Sequence, residues 1–251
     1  MRIPLVYIPK TRIKILLNID KQFNSDYYIV PIGCDCHPAH SLDILGLRKV
    51  SLPFDWIDID PLKTIEYVAD NINNKFVDFL KDTKTNEDGH FISGKYPFAL
   101  FLHEKQLDSA ESVDKFKRRS NRFLKIIENE NVIFLHGLKV NSIRNEKDVE
   151  QYIESVRLFL SSVNPNHSLR IYLRYDDDLS ENAILADKMF SELTKLNVKT
   201  IKYVREWKTY GNWGNKDLYH QLYKDLEIPL KMKFPKFYIK QYIFRKKRSD
   251  I

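Results

Sequence analysis

Val-Ile-Phe-Leu at 132–135, Leu-Arg-Ile-Tyr-Leu at 169–173 and Val-Lys-Thr-Ile-Lys-Tyr-Val at 198–204 are three short runs dominated by β-branched, aliphatic and aromatic residues. Such side chains fit a pleated surface, and each run reads as a strand. Between the first two, Val149, Tyr152, Ile153, Val156, Phe159 and Leu160 recur at helical spacing; between the second and third, so do Leu185, Met189, Leu193 and Leu196. A period near 3.6 puts each set on one face of a helix. Strand, helix, strand, helix, strand predicts parallel strands joined by helical crossovers. Residues 27–32, Tyr-Tyr-Ile-Val-Pro-Ile, supply a further strand. The expected fold class is therefore α/β, a three-layer domain with a mainly parallel sheet. Residues 1–22 read as an N-terminal extension, 23–230 as the catalytic-type domain and 231–251 as a basic, aromatic tail in which Pro235 is a natural start for a helix.

In such a sheet the loops after the carboxyl ends of the strands form the functional edge. Cys34 and Cys36 follow one strand, His136 and Gly137 end another, and Asp176 to Asp178 follow a third, ahead of Ser180 as a helix cap. Ala39, Leu42, Leu45 and Leu47 predict a helix beginning just after Pro38. Cys36 then sits near a helix N-terminus, where unpaired N–H groups and the dipole favour a thiolate over a thiol of pKa about 8.5. A cysteine nucleophile needs a histidine within reach and a third group to orient it. Asp217-Leu-Tyr-His220 is one source, the D-x-x-H pair that serves the nucleophile in SGNH-type hydrolases and acyltransferases. Cys34, Cys36, His37 and His40 crowd into seven residues, but consecutive ligands close a tetrahedron poorly; no metal and no cofactor is assigned.

Gly33-x-x-Cys36, Leu45-Gly46-Leu47-Arg48 and Pro53-Phe54-Asp55-Trp56 resemble the opening signature of a bacterial domain family described as papain-like cysteine peptidases, its function largely unassigned. The likeness continues through Tyr96-Pro97-Phe98 to His103-Glu104, then Arg118-Arg119 and Arg122-Phe123-Leu124, then the strand at 132–135. It covers residues 27 to 136, with a weaker echo to about 215. Two positions depart from the family pattern: Glu104 replaces its usual Asp, and Cys34 is an additional thiol. The resemblance implies Cys36 as nucleophile and His103 as base, with Asp55 or Glu104 orienting the imidazole and N–H groups of residues 35 to 37 as oxyanion donors. Cys34, His136 and the Asp217/His220 pair are the alternatives. Arg118 and Arg122, on a basic helix face, and Asp176 and Asp178, in the acidic triplet, are the candidate substrate-binding residues. The label also implies a helical lobe against an antiparallel, barrel-like lobe, which disagrees with the parallel sheet that the periodicity predicts.

The 251 residues carry a net charge of +7, and 231–248 alone holds eight basic side chains and no acid. The rest of the chain is thus near neutral, and the tail, its lysines interleaved with Phe and Tyr, fits an anionic membrane surface better than nucleic acid. No run reaches the roughly 18 apolar residues that a membrane span needs, no signal peptide is visible, and two cysteines one residue apart suit a reducing compartment. The expected location is cytoplasmic, peripheral on the inner membrane face. The expected function is a cysteine-nucleophile hydrolase or acyl-transfer enzyme acting on an acyl, peptide or glycan substrate. An acyl- or glycosyltransferase of cell-surface polysaccharide assembly and a non-enzymatic membrane-associated binding module are the alternatives.

Overall fold

The computed structural model describes residues 2–8, 13–179 and 182–243. The chain opens with β1 (Arg2–Ile8), β2 (Ile13–Asn24), β3 (Tyr28–Pro31) and α1 (His37–Ile44). An excursion follows through β4 (Asp58–Ile59), α2 (Thr64–Asn73), β5 (Lys84–Thr85), β6 (Phe91–Ile92) and β7 (Ala99–Leu100). Then come α3 (Ala110–Asn129), β8 (Val132–Lys139), α4 (Glu146–Ser162), β9 (Ser168–Tyr175), α5 (Ala183–Lys195) and β10 (Lys199–Val204). The short α6 (Trp207–Tyr210) and α7 (Tyr219–Asp225) precede β11 (Lys231–Ile243). No helix among the described residues is long and apolar enough to cross a membrane.

The central sheet has the order β10-β9-β8-β3, and every neighbour is parallel. Period-two alternation decides which helices lie on which face. Val132, Phe134 and Leu138 of β8, with Leu169, Ile171, Leu173 and Tyr175 of β9, enter the larger core beneath α2, α3, α4 and α5. The intervening Ile133, Leu135 and Tyr172 point the other way, into a second core with Leu42 of α1 and Tyr219, Leu222 and Tyr223 of α7. This is the expected three-layer α/β arrangement. The antiparallel order β4-β7-β6-β5 is confined to the excursion between α1 and α3.

The tail departs from expectation. Its described part, to Ile243, is a strand rather than a helix, and it pairs antiparallel with β2, which also pairs with β1. The extension and the tail therefore form one three-stranded sheet, β1-β2-β11. Pro235 does not open a helix; it lies in the register shift between Lys233 and Lys236, where a residue without an N–H interrupts a ladder at little cost. The basic cluster after Ile243 and the expected cap Ser180 lie outside the described residues.

Candidate active site

β3 ends at Pro31, and a tight turn delivers Cys34, Asp35 and Cys36 to the start of α1. The turn requires Gly33, because a Cβ there would fall 2.3 Å from Cγ and 2.7 Å from Cδ of Pro38. The two thiols go opposite ways. Cys34 is buried in the sheet and donates to the Gly137 carbonyl at 3.2 Å, and burial, reinforced by Asp35, pushes its thiol up to about 12. Cys36 is the N-cap of α1 and opens onto a cleft of about 540 Å³.

Its Sγ lies 3.7 Å from Nε2 of His103, within reach of a sulfur hydrogen bond. The structure thus brings together two residues that are 67 apart in the chain. One electrostatic expectation is reversed: burial, with the carboxylates of Asp35 and Asp58, pushes the Cys36 thiol up to about 11. The cost of desolvating a thiolate beside two carboxylates exceeds what the start of an eight-residue helix offers.

Neither expected carboxylate orients His103. Asp55 is buried, and its Oδ2 accepts from Nη2 of Arg48 at 2.6 Å, Nε of Arg48 at 3.1 Å and the Leu52 N–H at 2.9 Å. Glu104 is bound by the ammonium of Lys115. The ring beside His103 is Trp56, edge to face at 6.2 Å between centroids, and Trp56 in turn lies under the Arg48 guanidinium at 5.3 Å. Asp55 therefore reaches the histidine through Arg48 and Trp56, by packing.

The cleft floor is charged, and every parallel strand end contributes. Arg174 at the end of β9 is buried and holds Asp35 with two bonds, Nη2 to Oδ2 at 2.6 Å and Nη1 to Oδ1 at 3.2 Å. Lys139 at the end of β8 stands 3.6 Å from Asp35 and 3.9 Å from Asp58. Burial alone raises the Asp35 carboxyl, but the charge and hydrogen bonds of Arg174, with Lys139, hold it well below the usual carboxylate range. After β10, Arg205 grips Asp176 through Nε at 2.7 Å and Nη2 at 2.5 Å.

The remaining sequence candidates are dispersed. His136 does not end its strand but lies inside β8, buried, with Nδ1 2.8 Å from the Ile32 carbonyl; burial lowers its pKa to about 4. His220 contacts the main-chain carbonyl of Asp217 at 3.0 Å rather than its carboxylate, and stacks on Phe23. Neither it nor Asp217 lines the cleft. Arg118 is exposed on α3, and Arg122 donates to the Ser51 carbonyl at 2.7 Å; both are outside the cleft. Of the acidic triplet, Asp176 lines the cleft, Asp177 caps the Lys208 N–H at 3.1 Å, and Asp178 is not part of the lining. Oxyanion donation by His37 is likewise corrected, since its N–H already binds Oδ1 of Asp35 at 3.0 Å. The His37 ring turns to Tyr172, with Nδ1 to Oη at 2.7 Å, and His40 packs against Trp213. Among the described residues no three His, Cys, Asp or Glu side chains gather as metal ligands.

Sequence reasoning missed Asp35, Lys139, Arg174 and Arg205. Arg174 had a legible signal, an arginine in the run Ile-Tyr-Leu-Arg-Tyr at 171–175, since a charge inside a buried strand needs a partner.

Among curated proteins, the chain is similar to an uncharacterised protein, R408, of Acanthamoeba polyphaga mimivirus, 36% identical over 56 residues. That stretch is 22% of this chain and 25% of the viral protein, so the match spans about a quarter of its relative. No solved structure matches the chain significantly. A family model described as "Putative papain-like cysteine peptidase (DUF1796)" matches residues 27–170, which include the thiol turn, Asp55, Trp56, His103 and the strands β3 and β8 of the parallel sheet. That match takes in more than half of the 251 residues, and the chain belongs to this family.

Proposed function

We propose that the protein is a cysteine hydrolase in which Cys36 is the nucleophile and His103 the general base, acting on an amide or ester of a peptide or other acyl compound. The observation that carries this reading is the 3.7 Å approach of Cys36 Sγ to His103 Nε2 at the mouth of the cleft. With burial and two carboxylates pushing its thiol up to about 11, Cys36 starts the reaction as the thiol rather than as a preformed thiolate. The neutral pair works as a serine–histidine pair does. As Sγ bonds to the carbonyl carbon, its proton passes to Nε2 of His103. The imidazolium then protonates the leaving nitrogen or oxygen as its bond to carbon breaks. Water attacks the thioester, His103 takes one of its protons, and the acid leaves as that proton returns to Cys36.

The acidic triplet and the tail offer little to a transferase of polysaccharide assembly: Asp176 is in an ion pair with Arg205, Asp177 caps the Lys208 N–H, and the described part of the tail lies in a sheet. Incubation with p-nitrophenyl acetate, followed by peptide mass analysis, tests the hydrolase reading. Acetyl should appear on the peptide carrying Cys36, be absent in Cys36→Ala, and form roughly 10²–10⁴-fold more slowly in His103→Ala. Acetylation that survives in Cys36→Ala, or a His103→Ala rate equal to wild type, overturns it.

A further inference from the structure

The carboxylates Asp35, Asp58 and Asp176 and the cations Lys139, Arg174 and Arg205 line the cleft beside Cys36 and His103. Two of the cations are committed: Arg174 holds Asp35, and Arg205 holds Asp176, each through two hydrogen bonds. Lys139 and Asp58 are left. The Lys139 ammonium stands 3.6 Å from Asp35 and 3.9 Å from Asp58, beyond the roughly 3.2 Å reach of a hydrogen bond. Neither charged group has a hydrogen-bond partner among the described residues, and their side chains are 33% and 39% exposed. One cation with three N–H donors and one carboxylate thus face the cleft side by side.

Both groups are fixed in place by the fold. Lys139 ends β8, while Asp58 opens β4 opposite Leu100 of β7, the strand that leads to His103. The next residue, Ile59, donates its N–H to the Cys34 carbonyl at 2.9 Å, which ties Asp58 to the thiol turn. A ligand carrying a carboxylate alone would satisfy Lys139 but confront Asp58, and one carrying an ammonium alone would satisfy Asp58 but confront Lys139. A ligand with both charges on one carbon meets both. In a free amino acid the ammonium nitrogen and the carboxylate carbon are about 2.5 Å apart, across two bonds of about 1.5 Å, so its two charges can address the pair together.

The position of the pair says which part of a substrate carries these charges. Asp35 and Asp58 are the carboxylates close enough to act on the Cys36 sulfur, so Lys139 and Asp58 lie on the sulfur side of the Cys36–His103 couple. There the acyl group resides once it is bonded to Sγ, whereas the leaving group departs beside His103. An amino acid bonded to sulfur through its own α-carbonyl has no free α-carboxylate. One bonded through a side-chain carbonyl keeps both charges.

We propose that the cleft takes amides of an acidic amino acid linked through its side chain, γ-glutamyl or β-aspartyl compounds, with Lys139 holding the free α-carboxylate and Asp58 the free α-ammonium. This rests on Cys36 being the nucleophile. Sγ bonds to the side-chain carbonyl carbon as its proton passes to His103; the C–N bond breaks as that proton goes to the leaving amine; water then releases the free amino acid. A cleft of about 540 Å³ is in the range that takes such a small ligand.

The test measures kcat/KM on the γ-glutamyl and β-aspartyl p-nitroanilides. Each is compared with the analogue lacking the ammonium (glutaryl, succinyl) and the one lacking the carboxylate (γ-aminobutyryl, β-alanyl). At least one zwitterionic substrate should exceed both of its analogues by about tenfold or more, since each analogue leaves a charge of the site unpaired. Lys139→Met should abolish the advantage over the analogue without carboxylate, and Asp58→Asn the advantage over the analogue without ammonium. Wild-type rates that do not separate the substrates overturn the proposal, as does a preference for α-glutamyl over γ-glutamyl p-nitroanilide; these comparisons decide even if a variant does not fold. Calorimetry of the same compounds with Cys36→Ala separates the subsite from the chemistry. Tighter binding of a zwitterion than of its analogues sustains the subsite even where p-nitrophenyl acetate fails to label Cys36. Equal or absent binding overturns it even where that labelling succeeds.

Discussion

Asp55 shows what a single buried carboxylate can do without touching the reacting atoms. Its Oδ2 collects three donors, two from Arg48 and one from the Leu52 N–H, and Arg48 in turn lies over the indole that flanks His103. Burial raises the Asp55 carboxyl, while Leu52 and Arg48 pull it down, so the group depends on its partners to stay charged. Asp55→Ala leaves Arg48 half-buried without its main counter-charge. Breaking one partner of such a pair costs about 3–5 kcal/mol. Urea titration should show a loss of that size, with a smaller loss for Asp55→Asn, which keeps an acceptor for the Leu52 N–H. A loss below about 1 kcal/mol for Asp55→Ala would mean that Arg48 finds other partners and that the packing route to His103 is not held by this carboxylate.

At the scale of elements, the turn between β3 and α1 sets the register of the thiols. Gly33 is needed for close approach, since its ordinary φ is open to any residue and the obstacle is the Pro38 ring. Gly33→Ala must push α1 away from β3 or distort the turn. Overpacking of this kind costs about 1–3 kcal/mol. Because Cys36 caps the helix that moves, acetylation at Cys36 should slow in the same variant while Cys34 stays protected beneath Gly137. Wild-type stability together with a wild-type acetylation rate would show that the ring yields and the turn is not under steric control. β11 gives the same lesson about elements. Its alternation of Lys236, Tyr238 and Lys240 with Phe237 and Ile239 is a period-two pattern, and it was legible as such. Pro235 and the basic charge drew the reading toward an interfacial helix, because neither reveals that an extension more than 200 residues earlier supplies the pairing strand.

Across the whole molecule, three histidines are held neutral. Burial, with Arg174, lowers His37 to about 3; burial, with Lys216, lowers His40 to about 4; and burial lowers His136 to about 4. In the unfolded chain each titrates near 6.5. Between pH 6.5 and 4 the unfolded state therefore binds more protons than the folded one, and stability falls as the pH falls. The stabilisation is fully present above about 6.5 and is lost downward through this window, at up to about 1.4 kcal/mol per pH unit for each histidine. Denaturant unfolding at pH 7, 6, 5 and 4 should show this decline, and His136→Gln should flatten its own share. A stability that is level from pH 7 to 4 would show that these rings are protonated in the folded state.

Local pattern determined the layers of this protein. Val132 to Leu135, Leu169 to Leu173 and the stripes of α4 and α5 obey periods of two and 3.6, and those periods depend only on backbone geometry, so the parallel α/β core is readable from the order of residues alone. The pairing of Cys36 with His103 was reached through the family motif, since no periodicity links positions 67 residues apart. Tertiary structure alone decided the electrostatics. The thiol is raised because burial strips it of water and Asp35 and Asp58 converge on it, Asp55 and Glu104 are drawn to Arg48 and Lys115, and Arg174 crosses from β9 to Asp35. A charge's effect is set by distance and burial, and neither exists until the chain has folded.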